Sequence, residues 1–281
     1  MIKLIASDMD GTLLDQNSEV PPETFELIEE LYKRGVHFVA SSGRRYDTLR
    51  WLFEPVADKI DYVASLGTQV YVENEVIDRE VFSSASIRKL FELTSEFDCI
   101  HLVVYDRTHT YLLDDQSSFV RELDKDLPNA ERVFDPPSPD ISIIKAAICC
   151  DSRARSMDMA MILEREMGDR LSFMPSGETW IDVVPRGVNK ATGLEQIRRY
   201  YGISRDEIAV FGDSMNDYAM LRYAGTAYVM DNARYALKTI ASKVIAPNTE
   251  QGVQKEMRRI LEELAEGLAP FTKLFSMTIW R

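Results

Sequence analysis

The chain has 281 residues, 45% hydrophobic and 28% charged, which is a globular composition with length for about two domains. A formal net charge of −13 and an isoelectric point near 4.8 disfavour nucleic acid or an anionic membrane surface as partner, since both require basic patches. Cys99, Cys149 and Cys150 form neither a metal-ligand spacing nor a disulfide framework, and no apolar run approaches membrane-spanning length. A strand opens the chain where a signal peptide would stand, so a reducing cytoplasm is the expected location.

Ile2, Leu4, Ile5 and Ala6 read as a strand buried on both faces, ending in Asp8-Met9-Asp10-Gly11-Thr12. Two carboxylates one residue apart beyond a buried strand repel each other and are penalised by desolvation unless a cation neutralises them. A divalent metal with hard oxygen ligands, Mg2+, is the economical explanation, and Gly11 permits the tight turn. Pro22 starts a helix whose apolar residues Phe25, Ile28, Leu31 and Tyr32 recur at helical spacing up to Gly35. Val36–Ala40 is the next strand and runs into Ser41-Ser42-Gly43-Arg44. Strand, helix, strand implies a right-handed parallel crossover, which brings Ser42 and the Gly43 amide to the rim that carries Asp8. A Ser/Gly turn before a helix is the plain alternative for this segment. Arg44 suits equally a phosphate contact or a solvated helix position and is not counted in the site.

Asp61–Ser65 is a third strand, followed by Leu66-Gly67-Thr68 and a small antiparallel extension over Gln69–Val72 and Val76–Val81. From Phe82 the pattern becomes α+β: a helix over Ile87–Thr94, strands at Ile100–Tyr105 and Thr110–Leu113, and a helix near Phe119–Leu127. The loop Asp135–Pro139, a strand Ile143–Cys150, a helix Met157–Met167 and strands at Leu171–Met174 and Trp180–Val184 complete it. An α+β run within an α/β chain reads as an inserted domain, residues 83–186, between core segments 1–82 and 187–281. Asn189 caps the helix that carries Lys190 in its first turn and ends at Tyr201 before Gly202. A lysine there opposes the helix dipole, which makes sense if it faces phosphate and carboxylates. Ile208–Phe211 is another buried strand, ending in Gly212-Asp213 with Ser214-Met215-Asn216-Asp217 beyond. Asp213 is a third carboxylate at the rim; Asn216 and Asp217 open the next helix, where an exposed capping role is their alternative. The strand Ala227–Met230, the helix 234–241, the strand Val244–Ala246 and the helix Gly252–Leu264 close the core. The apolar tail 268–281 either folds back or serves a homo-oligomer, leaving monomer and oligomer both open.

Asp8-Met9-Asp10-Gly11-Thr12-Leu13-Leu14, Ser41-Ser42-Gly43-Arg44, Lys190 and Gly212–Asp217, in that order, resemble the four motifs of the haloacid dehalogenase (HAD) superfamily of aspartate-nucleophile phosphatases. The layout is similar to its Cof-type branch, with a type IIB cap between the second and third motifs. The resemblance implies a Rossmann-like doubly wound parallel-sheet core with an inserted α+β cap. It implies Asp8 as nucleophile, Asp10 as general acid and base, and Mg2+ held by the Asp8 side chain, the Asp10 backbone carbonyl and the Asp213 side chain. Phosphate contacts fall to the Met9 amide, Ser42, Gly43, Lys190 and Asn216, and Asp217 either stands in the metal's outer shell or orients Lys190. The expected reaction is hydrolysis of a small phosphate ester, such as a sugar phosphate, pyridoxal phosphate or flavin mononucleotide. The alternative is a phosphotransferase or phosphomutase using the same aspartate. Leu66, Ala191 and Asp231 depart from the family's Asn, Gly and Gly. His101, Arg107, His109, Glu178 and Trp180 are candidate readers of the leaving group, and none is singled out.

Overall fold

Every residue of the first strand, β1 (Leu4–Ser7), is buried, and parallel strands flank it on both sides, which is why its apolar run shows no alternation. The computed structural model describes residues 1–114, 119, 120, 123, 127 and 129–275, with side chains of the closing helix described through residue 266. After β1 come α1 (Pro22–Lys33), β2 (His37–Ser41), α2 (Tyr46–Leu52), β3 (Asp61–Ala64), β4 (Gln69–Val72) and β5 (Glu75–Arg79). The middle of the chain supplies α3 (Ser84–Thr94), β6 (Ile100–Tyr105), β7 (Thr110–Leu113), β8 (Ala130–Val133) and β9 (Lys145–Cys150). It continues with α4 (Ser156–Met167), β10 (Leu171–Ser176) and β11 (Trp180–Pro185). The last part holds α5 (Lys190–Tyr201), β12 (Ile208–Gly212), α6 (Tyr218–Tyr223), β13 (Thr226–Met230), α7 (Tyr235–Lys238), β14 (Lys243–Ile245) and α8 (Gly252–Phe275).

The larger sheet runs β14-β13-β12-β1-β2-β3-β4-β5, parallel from β14 to β3 and antiparallel at β4 and β5. Helices cover both faces. Ile5, Phe38 and Phe211 pack with residues of α1, α2 and α8, whereas Leu4, Val39 and Val210 pack with α5, α6 and α7. The smaller sheet, β10-β11-β9-β6-β7-β8, is antiparallel except for β7 and β8. Leu102, Val104 and Ile148 on one of its faces bury against α3 and α4. The fold is the expected α/β doubly wound core with an inserted α+β cap.

Several boundaries differ from the sequence expectation. β8 was not expected: Ala130–Val133 carries two charges and is half exposed, so it lacks the apolar alternation of a strand, and pairing to β7 alone defines it. α7 is four residues rather than eight, and α8 continues to Phe275 instead of ending at 264. Most of the helix expected over 119–127, and the side chains of the apolar tail, lie outside the described residues. Among the described residues, no helix is long and apolar enough to cross a membrane.

Candidate active site

β1 and β12 lie side by side at the point where strand order reverses, and Asp8 and Asp213 follow their carboxyl ends. Beyond Asp8 the chain turns at Gly11, whose φ is +77°. A Cβ there would lie 2.5 Å from Asp213 Oδ2, so glycine serves both the left-handed backbone and the close approach of the two loops. Thr12 Oγ1 donates to Asp213 Oδ1 at 2.9 Å.

Asn189 accepts hydrogen bonds from the amides of Ala191 and Thr192, fixing the start of α5 at Lys190. The Lys190 side chain is fully buried, and its Nζ donates to Asp8 Oδ1 at 2.5 Å and Asp217 Oδ1 at 2.7 Å. Asp217 Oδ2 accepts from the Asp213 and Ser214 amides at 3.1 and 3.0 Å, so this one carboxylate aims the lysine and braces the loop bearing Asp213. Asp8, Asp213 and Asp217 bring carboxylate oxygens within 4.8 Å of one another.

Three carboxylates share one ammonium. Burial first, and the charge of Asp217 second, push Asp8 up to about 8 and Asp213 to about 6, with Lys190 pulling both down. Burial works against the charge of Lys190, but Asp217 and Asp8 outweigh it and keep the ammonium protonated. A surplus of negative charge on hard oxygens, with no Cβ at Gly11 to crowd Asp213, is a donor set that fits a divalent cation.

The remaining expected residues are placed as follows. Met9 is wholly buried. Ser42 is buried, and its Oγ accepts from the Arg44 amide at 3.1 Å. Ser42, Gly43 and Asn216 line a cavity of about 420 Å³ together with Asp8 and Asp10. Asn216 Oδ1 accepts from Ser214 Oγ at 2.8 Å. The Asp10 side chain is not among the three clustered carboxylates; it is exposed and held by Arg44, from Nε at 2.9 Å and Nη2 at 2.5 Å.

Residues 5–257 match the haloacid dehalogenase-like hydrolase family. The chain belongs to that family. It is an enzyme, a HAD-type phosphatase. The 5-amino-6-(5-phospho-D-ribitylamino)uracil phosphatase YbjI of Escherichia coli is 29% identical over 275 residues, covering 94% of this chain and 98% of the relative. YcsE of Bacillus subtilis, named for the same activity, is 26% identical over 261 residues, 92% of this chain and 95% of the relative. The solved structure of SMU.1108c from Streptococcus mutans has a TM-score of 0.85 at 23% identity, over 93% of this chain and 100% of its own; that likeness is one of fold.

In this HAD hydrolase the smaller sheet supplies a further wall of the cavity, with Tyr105, Lys145, Trp180 and Asp182. Of these the sequence suggested only Trp180. His101 lies elsewhere, stacked on Phe119 at 4.7 Å and lining a different cavity. The Arg107 carbonyl accepts from Arg45 Nη2 at 3.2 Å, and His109 and Glu178 are exposed. Two contacts were not anticipated. Arg44 grips Asp10, and Asn232 Nδ2 donates to the Gly11 carbonyl at 2.8 Å while lying 3.5 Å from Asp213 Oδ2. The departure at the neighbouring Asp231 was the one sequence signal near Asn232. Leu66, which replaces the family's Asn, holds a left-handed backbone (φ +62°, ψ 22°) and packs on Val184 and Val188.

Proposed function

We propose that this phosphatase is an Mg2+-dependent phosphomonoester hydrolase that works through an aspartyl-phosphate on Asp8, with residues 83–186 as a cap over core segments 1–82 and 187–281. The observation that carries the reading is the buried Lys190 ammonium bridging Asp8 and Asp217 at the rim of the parallel sheet. A buried cation tied to a carboxylate beside a ligand-sized cavity is a costly arrangement, and anion chemistry accounts for it.

The Asp8 and Asp213 carboxylates and the Asp10 backbone carbonyl would hold Mg2+, with Asp217 occupied by Lys190 and two amides. Mg2+ bound there supplies the charge neutralisation that lets a carboxylate meet an anionic ester. Asp8 attacks phosphorus, so that its O–P bond forms as the ester O–P bond breaks. Asp10 gives a proton to the leaving oxygen and then takes one from the water that hydrolyses the aspartyl-phosphate. Release of Asp10 from Arg44 belongs to that cycle, because the guanidinium engages both of its carboxylate oxygens. Lys190, Ser42, Asn216 and the amides of Met9 and Gly43 stabilise the transferring oxygens. The acidic chain thus relies on local cations and amides to receive an anion.

The substrate is a small phosphorylated metabolite. The names of YbjI and YcsE support including 5-amino-6-(5-phospho-D-ribitylamino)uracil among the esters tested. The free cysteines fit a cytoplasmic enzyme. The test is hydrolysis of a panel containing that ester, p-nitrophenyl phosphate and several sugar phosphates, with Mg2+, with EDTA, and with Asp8→Asn. Turnover that needs both Mg2+ and Asp8 is the expected result. Absence of Mg2+-dependent turnover on every ester overturns the reading, and accumulation of a sugar bisphosphate redirects it to phosphoryl transfer.

A further inference from the structure

The cap sheet meets the cavity with side chains from neighbouring strands, in a register that sets their order. Lys145 of β9 stands opposite Tyr105 of β6, and Ala147 opposite Asp182 of β11, so the small Ala147 leaves room between larger neighbours. Trp180 lies two residues from Asp182 and therefore on the same face. Lys145 Nζ donates to the Gly43 carbonyl at 2.9 Å, lies 3.3 Å from Asp182 Oδ1 and sits 5.6 Å from the centroid of the Tyr105 ring. Both charged side chains are largely buried, with exposures of 16% for Lys145 and 12% for Asp182, so neither is a solvated surface charge.

Two properties follow. The wall is neutral as a whole, because its cation and its anion face each other. A second phosphate on the substrate that reached this wall would meet a cation, Lys145, already committed to Asp182. The wall nevertheless has hydrogen bonds to give. An ammonium carries three donors, of which Gly43 and Asp182 engage two, and a carboxylate accepts at both oxygens, of which Lys145 faces one. A donor and an acceptor side by side, with an indole next to them, match a flat uncharged ring that carries a C=O beside an N–H.

We infer that Lys145 and Asp182 are the specificity-determining pair of this enzyme, reading the C=O/N–H edge of an uncharged nitrogen heterocycle in the leaving group while Trp180 packs on its face. The inference rests on the phosphatase reading above and adds the class of leaving group. Esters of such heterocycles are preferred to sugar bisphosphates, which offer the wall a charge it cannot pair. Because Lys145 also grips the Gly43 carbonyl, the same residue joins the cap to the loop that carries Ser42.

The test uses the full chain with Mg2+ and three probes. Flavin mononucleotide presents the imide edge, fructose 1,6-bisphosphate presents a second anion, and acetyl phosphate is too short to reach the wall. Riboflavin binding, followed by the ligand's own fluorescence, is measured in parallel and does not depend on turnover. Wild type is expected to favour flavin mononucleotide over the bisphosphate at least tenfold in kcat/KM. Lys145→Met and Asp182→Asn are each expected to raise KM for flavin mononucleotide and the riboflavin Kd at least tenfold, and Asp182→Asn is expected to affect flavin mononucleotide far more than acetyl phosphate in kcat/KM. The inference is overturned if both variants leave the riboflavin Kd unchanged. It is also overturned if Asp182→Asn lowers turnover of acetyl phosphate and flavin mononucleotide by the same factor, which would make the pair a mere fastening between cap and core. Loss of all phosphatase activity in wild type, with riboflavin binding still lost in the variants, would sink the reaction assignment and leave this one standing.

Discussion

Replacing Lys190 by Met removes the only ammonium in contact with Asp8 and Asp217 among the described residues, and it does so where exposure is 0% for the lysine and for Asp217. Two carboxylates then remain buried, with Asp213 close by. Breaking a buried ion pair from one side costs about 3–5 kcal/mol, a large part of the roughly 5–15 kcal/mol that stabilises a domain. Urea unfolding in EDTA at pH 7.5 would show it. With a urea dependence of about 3 kcal/mol per molar, the midpoint of the core transition should fall by about 1–1.7 M. Two further measurements separate charge from packing. The double variant Lys190→Met/Asp217→Asn should recover about 2 kcal/mol relative to the single variant, because it deletes one of the repelling charges. Lowering the pH towards 5 should narrow the gap to wild type, since protonation relieves the same repulsion. A midpoint shift below about 0.3 M in EDTA, or a double variant less stable than the single one, would refute the idea that the lysine neutralises a buried acidic cluster.

Other outcomes follow from single residues. Gly11→Ala forces a side chain into a left-handed backbone, at about 1–2 kcal/mol, and pushes a Cβ onto Asp213. Its half-saturating Mg2+ concentration in the hydrolysis assay should rise at least tenfold, and an unchanged value would show that Asp213 does not serve the metal. Asp61, buried at the start of β3, accepts hydrogen bonds from the Glu73 amide and the Tyr201 hydroxyl, and burial pushes it up to about 6. Its folded value lies above the unfolded one of about 3.9, so the folded state binds the extra proton and stability falls as pH rises from about 4 to 6. Asp61→Asn keeps the accepting oxygen and loses the charge. It should raise the melting temperature at pH 8, by an amount corresponding to about 3 kcal/mol, and make no difference at pH 4; a destabilised variant at pH 8 would contradict this. For Leu66→Asn two effects compete. Asn relieves about 1 kcal/mol of left-handed strain, whereas losing the buried Leu66 contact with Val184 and Val188 costs about 2–3 kcal/mol. A net loss of stability in thermal unfolding is expected, and a gain would mean that strain outweighs packing.

The parts of the site that were readable in the sequence are those set by local chemistry. Asp8, Ser42 and Asp213 each follow a short apolar strand, and a parallel sheet delivers all its carboxyl ends to one rim, so strand, motif and position come together. Lys190 was readable through its cap: Asn189 fixes where α5 begins, and the first residue of that helix faces Asp8. Asp217 had two candidate roles because its bonds depend on how the turn after β12 folds; the structure places it on Lys190 and on two amides of that turn. β8 was missed because a strand paired along one edge, with charged and half-exposed residues, carries no periodic signature.

Contacts between distant segments were out of reach for a different reason. Asn232 reaches the Gly11 carbonyl across 221 residues, and Lys145 reaches the Gly43 carbonyl across 102. In the sequence each is a polar residue at an element's end, where a solvated side chain is the ordinary outcome. What distinguishes Lys145 is desolvation, which arises only when the cap sheet and the core loops come together, whereas Asn232 stays exposed and is marked only by its contact with a distant core loop. The separation is physical: the residues proposed to handle phosphate are tied to backbone features of the core, strand ends and a helix start, whereas those proposed to face the leaving group project from the middle of a second sheet whose strands carry no motif. On this reading a HAD hydrolase keeps its phosphate chemistry recognisable in the core motifs, and substitutions at positions 145 and 182 are expected to change the ester it accepts without touching those motifs.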